Sequence, residues 1–540
     1  MSVQARLTQK FPSAIIEEKP DRLIVKIDSD IFREMAEFLY KEEDLHFDFM
    51  RNLTGIDFGE EGFGVIYHLE STANKYQVEL RAVISNREQP YIHTVADLWK
   101  IASVYEREAY DFYGIIFLNH PDMRRLFLRN EWKGYPLRKD YEHIEELDMT
   151  NEGNEDFTVS WSLNDEGKLV PNQRVLFEPD EYVVNIGPQH PATHGVLRFR
   201  TSLDGEFINK IDIHCGYIHR GIEKLCEGLT YQQTIGYMDR LDYLAALQSR
   251  HALCMCVEKA IDLQVSDRVL YIRTIMDELQ RINSHLLFFS TLCMDLGALT
   301  AFSYGFRDRE KVLDILEETT GGRLILHYNI IGGVENDIHP DFVRKVKELL
   351  EYLPKVLVEY KKVFTDNVIA RNRMIGVGVL THEDAISFGA TGPVGRASNW
   401  ACDVRKRIPY GVYDQVDFKE VVRPEGDSYA RYLVRMEEIE ESMRIIAALI
   451  DNIPEGTTRE KTKPIIRIPE GSYYASVEAS RGEFGVFIES KGDKNPYRMK
   501  FRSTGLPLVA CVDTIARGAK IADLIAIGGT LDYVVPDIDR

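Results

Sequence analysis

Nowhere in this chain of 540 residues are two cysteines spaced Cys-x-x-Cys. Its seven cysteines, Cys215, Cys226, Cys254, Cys256, Cys293, Cys402 and Cys511, are few and odd in number, which suits buried thiols in a reducing compartment without structural disulfides. Cys254 and Cys256 lie two positions apart in a helical pattern, so their side chains diverge and read as buried thiols. Positive charge is also scarce: 66 Lys and Arg face 86 Asp and Glu, a formal net charge of −20. A polyanion would meet a repulsive field, which excludes DNA and RNA as partners. No Gly-x-Gly-x-x-Gly follows a strand and no phosphate-binding loop is present, leaving no evident site for a dinucleotide or for ATP. The N-terminal segment lacks an apolar core of signal-peptide length, because the run Ala14–Ile16 is cut by Glu17 and Glu18; this points to the cytoplasm. Only residues 284–302 approach a membrane span in hydrophobic length. Asp295 and Gly297 within them make a buried helix end the better reading.

What is present is enough apolar residue, 44% of the chain, for more than one core. Residues 1–140 alternate strand-like segments (22–27, 76–83) with helix-like ones (31–40, 95–110), the pattern of a small α+β domain. Residues 141–179 turn acidic and poor in aliphatics, the composition of a linker. Residues 180–540 form a second domain. Strands at 182–186 and 196–203 flank the loop Gly187-Pro188-Gln189-His190-Pro191-Ala192-Thr193-His194-Gly195. Long helical patterns follow at 238–263, 267–289, 342–367 and 429–453. The fold class expected is α+β: a small α+β domain joined by an acidic linker to a mainly helical domain with β hairpins.

Two sets of motifs carry a resemblance. The first is the run Tyr105-Glu106-Arg107-Glu108-Ala109-Tyr110-Asp111-Phe112-Tyr113-Gly114-Ile115, then His120-Pro121-Asp122-Met123-Arg124-Arg125 and Gly134-Tyr135-Pro136-Leu137-Arg138-Lys139-Asp140. Such dense Glu, Arg and Asp among aromatics is either a solvated charge run or a set of buried pairs. The second begins with the Gly187–Gly195 loop. It continues through Tyr217-Ile218-His219-Arg220-Gly221-Ile222-Glu223-Lys224, Arg240-Leu241-Asp242-Tyr243, residues 278–286 and Asp295-Leu296-Gly297-Ala298, and closes on Pro536-Asp537-Ile538-Asp539-Arg540. In order and composition the two sets resemble the C and D subunits of respiratory complex I (NADH-quinone oxidoreductase), joined in one chain. The second of these is in turn similar to the large subunit of nickel–iron hydrogenases. There, two Cys-x-x-Cys motifs supply thiolates to the metals. Arg240–Tyr243 and Leu531–Pro536 occupy those places here and offer no soft ligands, which excludes hydrogen activation.

The resemblance implies a peripheral-arm subunit on the cytoplasmic side of the bacterial inner membrane. It would be held by partners: an iron–sulfur subunit with the terminal cluster, and membrane-arm subunits. No metal would be bound by this chain, and its substrate would be a quinone. His194 and Tyr243 match the family's proton donors to the quinone, and Asp295 matches the histidine's carboxylate partner. The residue types suit the task, since imidazole changes charge near neutral pH, a phenol donates while neutral, and a carboxylate favours imidazolium. Each has an ordinary alternative. A histidine in a Gly/Pro loop commonly serves as a loop hydrogen-bonder, and Tyr243, expected on a helix beside Leu241 and Leu244, could be a core tyrosine. His190 either supports the loop or lines the pocket. Arg220 and Arg240 match cluster-proximal positions and could instead be structural, Arg220 pairing with Glu223 at helical spacing. The chain departs from many relatives before Gly332-Gly333-Val334, where Ile325 and Ile330 stand in place of a histidine and an arginine. His327 lies close by. Losing those donors should lower the cluster potential and blunt its pH dependence, which points to a low-potential acceptor such as menaquinone in place of ubiquinone.

Overall fold

Strand Gln77–Ile84 lies at the centre of a five-stranded sheet and pairs in parallel with Leu23–Asp28 and antiparallel with Phe63–Glu70. Ile15–Glu18 and Phe49–Asp57 form the edges. This computed structural model describes residues 3–142 and 155–540. The core of the acidic stretch, 143–154, lies outside the described residues. The chain divides into two units. The first runs to Val184 and adds His214–Gly216 and Ile386–Gly389; the second holds Asn185–Ile213, Tyr217–Ala385 and Ala390–Arg540.

In the first unit, helix Ser29–Lys41 starts where the Asp28 carboxylate accepts the Asp30 amide at 3.1 Å, and it buries Phe32, Met35 and Leu39 against the sheet. Phe32 stacks on Tyr67 with ring centroids 4.7 Å apart. Helix Ala102–Tyr113 packs on Phe49–Asp57, and Gly55 permits the approach, because a Cβ there would stand 2.4 Å from the Tyr113 ring. The pattern over 95–110 predicts a helix from Val95, whereas the helix begins at Ala102. Glu106 accepts the Val95 amide and the Thr94 hydroxyl, which folds the preceding segment into turns. The charged motif of this unit is internal rather than solvated. Glu106, Glu108 and Asp111 are buried, and Asp111 receives the amides of Leu126, Phe127 and Leu128 together with Arg125. Strands Phe157–Leu163 and Leu169–Val175, inside the stretch whose composition reads as linker, form an antiparallel hairpin.

The second unit is built on helix Asp267–Asp295, most of which is buried. Helices Leu299–Thr320, Phe342–Tyr360 and Ser428–Leu449 share one apolar core with it, where Phe289 stacks on Tyr360 at 4.0 Å. Helix Ala246–Ala260 covers an antiparallel sheet of Gly471–Ala479, Gly482–Ser490 and Arg498–Arg502, closing a second core. Cys254 and Cys256 are both buried in that core and diverge: Cys256 Sγ lies 3.6 Å from the Val486 carbonyl of the sheet, whereas Cys254 lies near Arg273 of helix Asp267–Asp295. Of the helix expected over 238–263 only Ala246–Ala260 is helical; Tyr231–Met238 ends where the expected helix begins, and residues 239–245 between the two are turn, so Tyr243 is not on a helix. Asp239 and Asp242 explain the break: Asp239 is tied to Arg250 at 2.8 Å, while Asp242 accepts the Leu244 amide at 3.0 Å. Among the described residues no helix is long and apolar enough to cross a membrane. The apolar run at 284–302 divides into two helices, and Asp295 ends the first.

Candidate functional site

His194 and Asp295, 101 positions apart in sequence, meet at 2.7 Å between Nε2 and Oδ2. His194 ends the loop that opens the second domain, just after a short 3-10 turn, Pro191–Thr193. The buried Thr193 hydroxyl lies 2.8 Å from the His190 carbonyl and 2.9 Å from that of Gly195, holding His194 in the left-handed region at φ 51°. Asp295 is the last residue of its helix, an end where backbone carbonyls disfavour a carboxylate and a cation restores balance. The imidazole is that cation when protonated. Burial opposes charge on the ring, but the hydrogen bond and charge of Asp295, with Asp532 beyond, outweigh it and raise the His194 pKa above its ordinary value. With Nε2 committed to Asp295, Nδ1 has no hydrogen-bond partner among the described residues.

Helix Asp523–Leu531 backs this pair. A Cβ at Gly529 would stand 3.1 Å from Asp295 Oδ2 and 3.8 Å from His194 Nε2, so glycine lets the helix lie directly behind the contact.

Tyr243 is 36% exposed, and its hydroxyl makes no hydrogen bond among the described residues. Burial raises its pKa, an effect offset in part by Arg481. Next to it, Asp242 is buried and held by Arg481, which also holds Asp532. Burial pushes Asp242 up to about 6 despite that arginine. His194 and Tyr243 therefore both stand in the field of Arg481 and Asp532, although they share no direct contact.

The remaining candidates lie apart. His190 is exposed, and its carbonyl, which accepts from Thr193, braces the loop. Arg220 is exposed; Glu223, its possible partner, is engaged instead by Arg498, Lys500 and Arg540. Arg240 is exposed, bonds the Gly236 carbonyl and lies beside Asp239. His327 brings Nδ1 within 2.8 Å of Asp239, and Arg250 joins both. Among the described residues no group of three or more His, Cys, Asp or Glu side chains could hold a metal ion. The residues that sequence reasoning missed are Arg481, Asp532 and Gly529. Their signals are faint: a Ser-Arg-Gly turn between strands, and a lone acid and a glycine pair in an apolar C-terminal stretch.

Two family descriptions match different parts of the chain. Residues 25–146 match the respiratory-chain NADH dehydrogenase 30 Kd subunit. Residues 295–467 and 461–540 match the 49 Kd subunit of the same enzyme. The class is thus a fusion of two subunits of one respiratory dehydrogenase. The fused C/D subunit of the NADH-quinone oxidoreductase of Phocaeicola vulgatus is 66% identical over 505 residues, covering 93% of this chain and 97% of that protein. Its counterpart in Bacteroides thetaiotaomicron is 64% identical over 516 residues, covering 93% and 97%. The separate D subunit of the Desulfotalea psychrophila enzyme is 45% identical over 371 residues, all of that protein but 68% of this chain. The chain belongs to the fused C/D subunit family of the complex I NADH-quinone oxidoreductases.

Proposed function

We propose that this subunit of an NADH-quinone oxidoreductase supplies the proton-donating end of quinone reduction, with Tyr243 and His194 as catalytic residues and Asp295 as the partner of His194. The observation that carries the reading is the 2.7 Å His194–Asp295 contact, left with one uncommitted ring nitrogen, together with an uncommitted Tyr243 hydroxyl in the same electrostatic field. Reducing a quinone to a quinol adds two electrons and two protons. An iron–sulfur cluster held by a partner subunit would supply the electrons. Tyr243 donates a hydrogen bond, then its proton, to one carbonyl oxygen. His194, charged because Asp295 favours imidazolium, donates from Nδ1 to the other. Proton loss from His194 leaves the Asp295 carboxylate at a helix end without its cation, and re-pairing that charge offers a means to couple reduction to ion translocation by the complex.

Exposed Arg220 and Arg240 suit a surface facing the electron-donating partner, where a permanent cation stabilises arriving negative charge. Membrane-arm partners hold the chain on the cytoplasmic face. Ile325 and Ile330 leave the segment before Gly332 without two polar donors, which favours a low-potential quinone such as menaquinone.

Substituting Tyr243→Phe in the assembled complex tests the site. Quinone reductase activity should fall by about 100-fold or more, while electron transfer to a soluble acceptor upstream of the quinone is retained. Full quinone reductase activity in that variant would reduce the chain to a scaffold.

A further inference from the structure

The hydrogen bonds around Arg481 reach three stretches of chain, and each stretch carries part of the proposed site. Nη1 donates to Asp242 at 3.3 and 3.1 Å, and Asp242 precedes Tyr243. It also lies 3.0 Å from the Ser284 hydroxyl on the helix that ends in Asp295. Nε and Nη2 donate to the Asp532 carbonyl and carboxylate at 2.6 and 3.1 Å. Asp532 caps the helix whose Gly529 backs the His194–Asp295 pair. Arg481 itself comes from the tight turn between strands Gly471–Ala479 and Gly482–Ser490. At 1% exposure it has protein, not water, for its partners.

We infer that Arg481 is a positioning residue for quinone reduction: its guanidinium fixes the turn carrying Tyr243 against the two helices that carry and back the His194–Asp295 pair. The inference rests on the reading of those three residues as the reducing site. A planar fork with five donors can hold two carboxylates, a carbonyl and a hydroxyl in fixed directions, whereas a lysine ammonium supplies the charge without the directions. Geometry and charge are therefore separable by substitution.

The surrounding charges set the sign of the charge effect. His194 faces Asp295, Asp532 and Arg481; Tyr243 faces Arg481, Asp242 and Asp532; Asp242 also faces Asp537. Arg435 lies beyond Asp532 at 3.6 Å. Removing the Arg481 charge leaves Asp242 and Asp532 less balanced, so both His194 and Tyr243 hold their protons more tightly.

The test uses Arg481→Lys, Arg481→Gln and Tyr243→Phe in the assembled complex, with kcat and KM for a short-chain water-soluble quinone measured across pH. Reduction of ferricyanide upstream of the quinone reports assembly. Arg481→Lys should lower kcat about tenfold and raise KM, since misplacement of reacting groups is costly, with the alkaline limb of the pH profile unmoved. Arg481→Gln should move that limb upward by about one pH unit. Where Arg481→Gln does not accumulate, Arg481→Lys decides alone. Wild-type kcat and KM in Arg481→Lys, or an unmoved limb in an assembled Arg481→Gln, overturns the inference. Tyr243→Phe separates the two readings. If it keeps full activity, the site itself is misassigned; if it is inactive while Arg481→Lys is normal, only the role of Arg481 falls.

Discussion

His194 and Asp295 are each unfavourable alone: a left-handed backbone for a β-carbon-bearing residue, and a carboxylate at the carbonyl end of a helix. Their contact offsets both. Because the folded ring has a raised pKa, the stabilisation from the pair is complete below the ordinary histidine value of about 6.5 and is lost as pH climbs through the raised value. Asp295→Asn removes the charge that favours imidazolium. The pH above which quinone reductase activity declines should then shift downward, with about a tenfold loss at pH values just above neutral. A pH–rate profile checks both. An unchanged profile would mean that His194 does not donate the proton. At this scale the sequence was informative about chemistry but silent about commitment. The residue types of His194, Tyr243 and Asp295 are plain, yet only the fold tells that one ring nitrogen is occupied and one hydroxyl is not.

Among the elements, helix Asp523–Leu531 does what no pattern in the sequence announces: it brings Gly529 to within a methyl group's reach of the His194–Asp295 contact. Gly529→Ala would press on Asp295 Oδ2 and on Leu292, whose side chain lies 3.3 Å from the added carbon. The expected outcome is an assembled complex with quinone reductase activity lowered about tenfold, as misplacement by a fraction of an ångström predicts. Steady-state kinetics on membranes measure it, and unchanged activity would show that the contact tolerates displacement. Periodicity located the strands at 22–27 and 76–83 and the helix near 31–40 from an apolar face with a regular repeat. It also located the helix at 267–289, whose apolar spacing shows although residues 272–286 are buried all round, with Arg273 and Arg281 paired to Glu258 and Glu278 inside. It failed where side chains overrule the backbone. Asp239 and Asp242 interrupt an apolar helical pattern to bond Arg250, Leu244 and Arg481, which places Tyr243 in a turn. The hairpin of Phe157–Leu163 and Leu169–Val175 was obscured by the acidic, aliphatic-poor residues before it: Phe157–Leu163 does alternate apolar and polar residues, but it is only half-buried, and its partner is exposed, polar and interrupted by Pro171.

For the molecule as a whole, the fusion was legible because two independent motif sets stand in order in one sequence, and relatives 66% and 64% identical share that arrangement over nearly their full length. Buried ion pairs were not legible, since an arginine such as Arg481, Arg405 or Arg396 looks the same in sequence whether solvated or paired inside. Ile325 and Ile330 carry a prediction about the assembly. The terminal cluster potential in the partner should change with pH by well under about 59 mV per unit, the slope of one proton per electron. Potentiometric titration followed by electron paramagnetic resonance measures this. The most direct measurement of the central claim is the structure of the assembled complex with quinone bound. The expected result places the two quinone oxygens about 3 Å from the Tyr243 hydroxyl and from His194 Nδ1. A headgroup bound with neither residue in reach, or His194 turned away from Asp295, would contradict it.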